Sequence, residues 1–343
     1  MAYTVKSTEK LRKSAAEHET KTLLYLMNFR ADSDEIHYFV VDFFNDLTGM
    51  DRMASKLWDA QSKGGKNNGP KAIGKELVTL FKNFVSDFDF SAYVLFVGGV
   101  TGTVRIDETK NVFDISNVPS TAYEKMVEGL IEEGKEKTYI ENSDLTDENI
   151  NNFLSKVTIV VDDKDPEEYV KAIIKDHPNI IPEKEVLQAI FNEIRDVQSS
   201  KKNINSVEGI TIQTSDEVLN YSRHMTSNDV KMLALQRIIN RNPVSQGIPT
   251  SFVDIYSLWP PEKRKEQLEE CIQSLSRALF NKNMAVGFWK LFGSIYNLIV
   301  KKPNSSIQYI FNNLPQEHIE ACPDFDALSL KYFIAVVKDG IQQ

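Results

Sequence analysis

The alternation of apolar and polar positions predicts two helices at the start of the chain. Residues 8–30 carry a partly apolar face typical of a helix, and a second helix is predicted after Asp32 and Ser33, which are good N-cap residues. Within the second segment four apolar residues recur at helical spacing, and Thr48-Gly49 ends the pattern: Ile36, Val40, Phe43 and Leu47.

Strands are predicted next, and helices dominate the rest. Short extended segments are expected at 50–54 and 56–63, followed by an amphipathic helix from Pro70 to about residue 84. Continuous apolar runs at 92–97 and 156–161 are typical of buried strands, and 101–115 is predicted as a hairpin. Beyond residue 228 the pattern is helical, interrupted by prolines. We therefore expect an α/β domain over residues 1–205 and an all-helical domain over 206–343.

Composition excludes several protein classes. Cys271 and Cys322 are the only cysteines and are widely separated, so neither a disulfide framework nor a zinc cluster is expected. No apolar stretch approaches the roughly 18 residues of a membrane span, and the N-terminus lacks a secretory signal. These features predict a cytoplasmic protein that does not associate with membranes.

The net charge of −9 conceals a basic segment. Between Arg52 and Lys82 lie seven basic and two acidic residues, a local charge of +5, so the rest of the chain carries −14. A basic segment in an acidic chain favours a local site for phosphate groups, with Lys66, Lys71 and Lys75 as the candidate contacts.

A polar set accompanies this basic segment. In a strand over 56–63, Asp59, Gln61 and Lys63 project from one face, since strand side chains alternate. Asp51 would lie beside them if the two extended segments pair, and Glu35 is a candidate fourth member. Mg²⁺ takes oxygen ligands with only one or two carboxylates, so Asp51 and Gln61 are candidate ligands, and Lys63 a candidate charge-stabilising group.

Asp51 followed by Gln61-Ser62-Lys63, between a helix and a basic helix, resembles the PD-(D/E)XK nuclease superfamily. Gln61 in place of an acidic residue is similar to the double-stranded DNA endonuclease domain of CD-NTase-associated antiphage effectors. The resemblance covers about residues 10–200. It implies a restriction-endonuclease-like αβββαβ core and Mg²⁺-dependent cleavage of double-stranded DNA, with Mn²⁺ as a substitute and a defence-system protein as a partner. The proline of the superfamily motif is absent before Asp51.

Several alternatives remain open from the sequence. The choice of Asp51 over Asp46 or Asp59 depends on position alone, and Glu35 also suits the first turn of a helix. The polar set on 56–63 is also compatible with a solvated edge strand that has no function. Gln61 binds metal more weakly than glutamate, which leaves a nuclease-like module that binds DNA or protein without cutting.

Two further interpretations concern other parts of the chain. Residues 69–76, GPKAIGKE, nearly match a phosphate-binding loop, although Glu76 replaces the expected hydroxyl residue, so a nucleotide hydrolase is the less favoured function. The C-terminal helices are expected to serve oligomerisation, as a homo-oligomer, or partner docking or ligand sensing.

Overall fold

The computed structural model describes residues 2–5, 13–174, 182–202, 204, 206–243 and 247–341. The chain forms two compact units. The first unit comprises Met1–Asp165 and Glu193–Ser227, and the second comprises Pro166–Asn192 and Asn228–Gln343. The sequence-based boundary between residues 205 and 206 falls inside the last segment of the first unit.

The first unit contains a mixed sheet with helices. Its elements in chain order are β1 (Tyr3–Thr4), α1 (Lys13–Asn28), β2 (Tyr38–Val41), β3 (Leu47–Met50), β4 (Leu57–Lys63), α2 (Pro70–Glu76), α3 (Val78–Phe84), β5 (Ala92–Val97), β6 (Val112–Phe113), α4 (Ser120–Glu136), α5 (Asp147–Leu154) and β7 (Val157–Val161). After α6 (Pro166–Ile173), which belongs to the second unit, α7 (Lys184–Lys202) places its last ten residues in the first. The strands β8 (Thr211–Ile212) and β9 (His224–Thr226) complete this unit.

Seven strands form the main sheet in the order β6-β7-β5-β4-β3-β2-β9. The central pairs β4–β5 and β5–β7 are parallel, whereas β2, β3, β6 and β9 pair antiparallel with their neighbours. The apolar runs predicted as strands are β5 and β7. Tyr93–Val97 of β5 are all buried, and so are Val157, Ile159 and Val160 of β7, as expected for central strands. The prediction of a mixed α/β architecture with a helical C-terminal region is confirmed.

The prediction of a second helix after Asp32 and Ser33 is wrong. Residues Ser33–Glu35 form only a short 3₁₀ turn, and the segment that follows is a hairpin of β2 and β3. Because β2 lies between β3 and β9, its residues Phe39–Val41 are all buried, and a run of this kind has no clean alternation to separate it from a helix. The hairpin predicted at 101–115 is also absent, since β6 pairs with β7 instead.

Helices α2 and α4 cross at glycines. A β-carbon at Gly74 would lie 2.0 Å from the Met126 carbonyl oxygen, and one at Gly129 would lie 2.2 Å from the Lys71 carbonyl oxygen. Both distances are below van der Waals contact, so only glycine permits this close approach of the two backbones. The crossing fixes the basic helix α2 against α4.

The second unit is helical. In the part of the chain that the structure describes, it contains α6, residues 184–192 of α7, and seven later helices: α8 (Ser227–Ile239, beginning at the last residue of the first unit), α9 (Val253–Ser257), α10 (Arg264–Phe280), α11 (Ala285–Lys301), α12 (Ile307–Asn312), α13 (Gln316–Glu320) and α14 (Ala327–Ile341). Its core includes Trp289 and Phe333, which are fully buried. Cys271 and Cys322 are buried free thiols.

Candidate functional site

The register of β3 and β4 brings Asp46 to Gln61. Leu47 pairs with Ala60 across this antiparallel pair, so Asp46, immediately before β3, lies opposite Gln61 near the end of β4. The Asp46 Oδ2 atom accepts hydrogen bonds from Gln61 Nε2 at 2.7 Å and from the Ser62 backbone N–H at 2.9 Å. One carboxylate therefore contacts the residue predicted as a metal ligand and the residue after it.

Helix α3 holds the other end of the Gln61 amide. Thr79 Oγ1 donates to Gln61 Oε1 at 2.8 Å and accepts from Asn45 Nδ2 at 3.3 Å. A hydroxyl can donate or accept, so Thr79 can support either orientation of the Gln61 amide. The chain of hydrogen bonds from Asn45 to Asp46 thus fixes the position of Gln61, with its Nε2 group facing the Asp46 carboxylate and its Oε1 atom facing Thr79.

Asp59, Gln61 and Lys63 share one face of β4, as the alternation of the strand predicts. All three meet α2 or α3: Asp59 accepts from Asn83 Nδ2 at 2.6 Å, and Lys63 Nζ lies 3.3 Å from a Glu76 carboxylate oxygen. Asp59 is fully buried, and it also accepts from Thr48 at 3.3 Å. This face is therefore packed under two helices, with only Lys63 partly exposed.

A buried group of charges lies beside Asp46. Lys202 Nζ, at the end of α7, lies 2.9 Å from Glu19 Oε1 of α1, and their side chains are 6% and 8% exposed. Arg223 Nη1 lies 3.3 Å from Asp42 Oδ2, and its Nη2 donates to the Lys202 carbonyl at 2.8 Å. Asp42 adopts a positive φ of 51° in the turn between β2 and β3, which leads the chain to Asp46.

The pKa values in this group reflect burial and mutual attraction. Burial and the Glu19 carboxylate raise the pKa of Asp46 to about 7, although the Ser62 amide and nearby lysines act against the shift. Burial also raises the pKa of Asp42, with Lys202 and Arg223 opposing. Burial alone would lower the pKa of Lys202, but Glu19, Asp42 and Asp46 raise it above its ordinary value. Asp46 is thus a carboxyl that a nearby divalent cation would stabilise in its charged form.

A cavity of about 200 Å³ opens beside Asp46 and Gln61. It has mixed character, with carboxylate, amide, hydroxyl, ammonium and aromatic groups in its wall: Asp42, Phe43, Phe44, Asn45, Asp46, Gln61, Thr79, Lys82, Lys137 and Tyr139. Lys82 Nζ donates to the Phe44 carbonyl at 2.9 Å, and Lys137 Nζ lies 2.7 Å from Glu133. The cavity thus combines carboxylate and amide groups with basic side chains.

Asp51 and Glu35 lie away from this group. The Asp51 amide pairs with the Lys56 carbonyl at the beginning of β4, five residues or about 17 Å from Gln61. The Asp51 carboxylate instead accepts from the Ser55 and Lys56 backbone amides at 2.7 and 2.9 Å. Glu35 pairs with Lys56 Nζ at 2.6 Å. The expected juxtaposition of Asp51 and Glu35 with Gln61 is therefore absent, because antiparallel pairing brings the other end of β3 to Gln61.

The predicted DNA-contacting lysines are mostly paired with acids of α4. Lys71 Nζ lies 2.7 Å from Glu128 and 3.3 Å from Glu132, and Lys75 Nζ lies 2.9 Å from Glu132. Lys66 is exposed in the loop that follows β4. The acidic side chains of α4, which the close helix crossing brings next to α2, thus offset much of the positive charge of this segment.

Two alternative interpretations of this region do not match its conformation. Strand β4 pairs with β3 and β5 on its two sides, so it is not an edge strand. Gly74 and Lys75 lie within α2, rather than in a loop before a helix as a phosphate-binding loop requires.

The donors around Asp46 decide whether a metal fits there. Among the residues that the structure describes, no three His, Cys, Asp or Glu side chains form a preassembled metal group. Mg²⁺ needs only one or two carboxylates, however, and the oxygens of Asp46, Glu19 and Gln61 are the hard donors it prefers. The carboxylates have the chemistry that Mg²⁺ prefers, whereas Gln61 could bind it only after its amide turns, because Nε2 donates to Asp46 and Oε1 accepts from Thr79.

Comparison of the chain with protein-family models, with curated proteins and with solved structures finds no match. None of the described helices combines the length and apolar character that crossing a bilayer requires. The assignment of function therefore depends on the geometry of the site.

Sequence reasoning missed Glu19, Asp42, Lys202 and Arg223 and left Asp46 as an alternative. One signal could have pointed to Asp46. If residues 38–50 are interpreted as a hairpin, Asp46 precedes its second strand and falls opposite Gln61 near the end of β4. The charges on α1 and α7 carry no local signal, because residues 183 positions apart form the Glu19–Lys202 pair.

Proposed function

We propose that this protein is a Mg²⁺-dependent endonuclease that hydrolyses double-stranded DNA. The observation that carries the proposal is that Asp46, just before β3, lies opposite Gln61 of β4. Lys63 lies two residues after Gln61 on the same face of β4. An acidic residue, an amide oxygen and a lysine at adjacent strand ends form a set suited to metal-assisted phosphodiester cleavage.

The order of elements supports this proposal. Helix α1 is followed by three antiparallel strands, β2 to β4, then by α2 and α3, and then by β5 parallel to β4. This order is compatible with the αβββαβ core that the resemblance to PD-(D/E)XK nucleases implies, which supports the proposal. The same order places the candidate residues at the end of β4 and the start of β3.

In the proposed mechanism Asp46 and Gln61 would hold the metal and Glu19 would assist, in place of the Asp51 and Glu35 that the sequence suggests. Bound Mg²⁺ would supply a polarising charge at the phosphate and lower the pKa of a water molecule. The Lys63 ammonium would stabilise negative charge on the phosphate oxygens as the bond breaks. Thr79 would keep Gln61 in place through its hydrogen bond to the amide.

DNA contacts are proposed at the basic groups nearest the cavity. Lys82 and Lys137 line it, and Lys66 lies on the exposed loop that follows β4. Lys71 and Lys75 remain candidates only to the extent that DNA phosphate can displace their α4 partners. An antiphage role, a defence-system partner, a homo-oligomer and a cytoplasmic location are parts of the proposal supported by the resemblance and the sequence.

The proposal is tested by incubating plasmid and linear duplex DNA with the protein in Mg²⁺, Mn²⁺ or EDTA. Lys63→Ala should lower the metal-dependent cleavage rate by about 10²- to 10³-fold. Lys56→Ala is a matched control, because Lys56 lies at the opposite end of the β4 region and pairs with Glu35. Cleavage by Lys63→Ala at the wild-type rate would remove Lys63 from the mechanism.

A nuclease-like binding module is the second candidate. The favouring observation is that Gln61 donates its Nε2 hydrogen to Asp46 and accepts from Thr79, so its polar groups are satisfied without a metal. This alternative predicts DNA binding that is insensitive to EDTA and no cleavage under any metal. It also predicts that the Asp46→Asn variant binds duplex DNA with unchanged affinity.

A further inference from the structure

The ammonium group of Lys202 forms a buried ion pair with Glu19, one of the carboxylates of the proposed metal site. Its Nζ is 2.9 Å from Glu19 Oε1. Asp42 and Asp46 are also close enough to raise the pKa of Lys202. Glu19 belongs to α1, whereas Asp42 and Asp46 belong to the turn between β2 and β3. The buried Lys202 ammonium therefore attracts carboxylates that are distant in sequence.

The end of α7 is held in this position by hydrogen bonds on two sides. Arg223 donates to the Lys202 carbonyl at 2.8 Å and to the Asp42 carbonyl at 2.9 Å. One turn earlier, Gln198 Oε1 accepts from Thr20 Oγ1 of α1 at 2.8 Å. The backbone of Lys202 is therefore held in place, and its side chain is buried beside Glu19 rather than exposed at the surface.

We propose that Lys202 competes with a divalent cation for Glu19 and Asp46, so that metal binding requires its ammonium group to leave them. The inference depends on the proposed function, because it concerns the same metal site. A divalent cation a few ångströms from a buried ammonium is repelled strongly, since the surroundings screen charge poorly. Glu19 and Asp46 can neutralise one cation or the other, and the Lys202–Glu19 pair keeps the site charge-balanced without metal.

The test is Mn²⁺ binding by Lys202→Gln, measured by titration calorimetry and by melting temperature. We expect the Kd for Mn²⁺ to fall about tenfold or more relative to wild type, because the competing charge is gone while a hydrogen bond to Glu19 is retained. Loss of Lys202 should lower the melting temperature, since Glu19 is left buried without its cation, and Mn²⁺ should restore part of that loss.

Lys21→Gln is the matched control. Lys21 forms a buried ion pair of the same kind with Asp162, at 2.7 Å with side chains 9% and 7% exposed, elsewhere in the first unit. This variant should also melt at a lower temperature, but Mn²⁺ should not restore it beyond its effect on wild type. Equal restoration in both variants would contradict a specific exchange of Lys202 for metal.

The remaining outcomes separate this inference from the proposed function. Unchanged or weaker Mn²⁺ binding by Lys202→Gln, with wild-type binding abolished by Asp46→Asn, would overturn the competition and leave the metal site intact. Binding of Mn²⁺ by neither wild type nor Lys202→Gln would overturn both. If Lys202→Gln folds only when Mn²⁺ is present, the exchange is supported, and failure to fold even with Mn²⁺ overturns it.

Discussion

Asp59 provides a quantitative test of buried charge on β4. Its fully buried carboxyl accepts from Thr48 and Asn83, and burial raises its pKa from 3.8 to about 6 despite those hydrogen bonds. The folded protein therefore binds this proton more tightly than the unfolded chain does. The stability contributed by Asp59 is fully present below pH 4 and is lost as the pH rises through 6.

The expected magnitude follows from the shift. About two pKa units correspond to about 3 kcal/mol in the free energy of unfolding. Asp59→Asn resembles the protonated carboxyl, so the variant should gain about 3 kcal/mol relative to wild type between pH 4 and pH 8. Asp59 has no role in the proposed metal site, and the variant should retain Mg²⁺-dependent cleavage.

The assay is urea denaturation in EDTA at pH steps from 4 to 8, comparing each variant with wild type. Asp51→Asn is the control of opposite sign. Partial burial alone would raise the pKa of Asp51, but amide hydrogen bonds from Lys56 and Ser55 lower it. Its contribution is present above about pH 4 and is lost as the pH falls through its folded pKa, so Asp51→Asn should be less stable at neutral pH. A constant difference between Asp59→Asn and wild type across the range would refute the reasoning.

Two further predictions concern the support of the site and the charge on α2. Thr79→Val should weaken apparent Mg²⁺ affinity in the cleavage assay by about tenfold, since Gln61 loses its hydrogen bond, whereas Thr79→Ser should preserve it; equal losses in both would indicate a packing effect. Glu132→Gln removes the partner of Lys75 and one partner of Lys71, which makes these lysines more available to contact DNA. The slope of log K for DNA binding against log salt concentration should steepen by about 0.9 for each additional phosphate that they neutralise. An unchanged slope would place these lysines outside the DNA interface.

Some parts of the fold are local properties of the sequence, and others depend on distant pairing. The apolar runs of β5 and β7 are recognisable because strands buried on both faces need no polar alternation. The spacing of Ile36, Val40, Phe43 and Leu47 predicts a helix over residues 36–47, yet pairing with β3 and β9 makes β2 a strand. Tertiary pairing overrides local pattern here.

The candidate site divides in the same way. Gln61 and Lys63 are predictable, since they lie two residues apart on one strand. The sequence does not distinguish Asp46 from Asp51, because the distinction depends on which end of β3 meets the end of β4. The hairpin turn, with Asp42 at positive φ, sets that register. The pairing of Lys71 with α4 depends on a helix crossing made possible by two glycines and is invisible in local charge.

The central claim is that a metal-dependent cleavage centre lies at the Asp46 end of β3. The most direct measurement compares the rates at which Asp46→Asn and Asp51→Asn cleave duplex DNA in Mg²⁺, with both variants confirmed to be folded. The account predicts that Asp46→Asn falls to the rate seen in EDTA, while Asp51→Asn retains the wild-type rate. Full activity in Asp46→Asn together with loss in Asp51→Asn would contradict it.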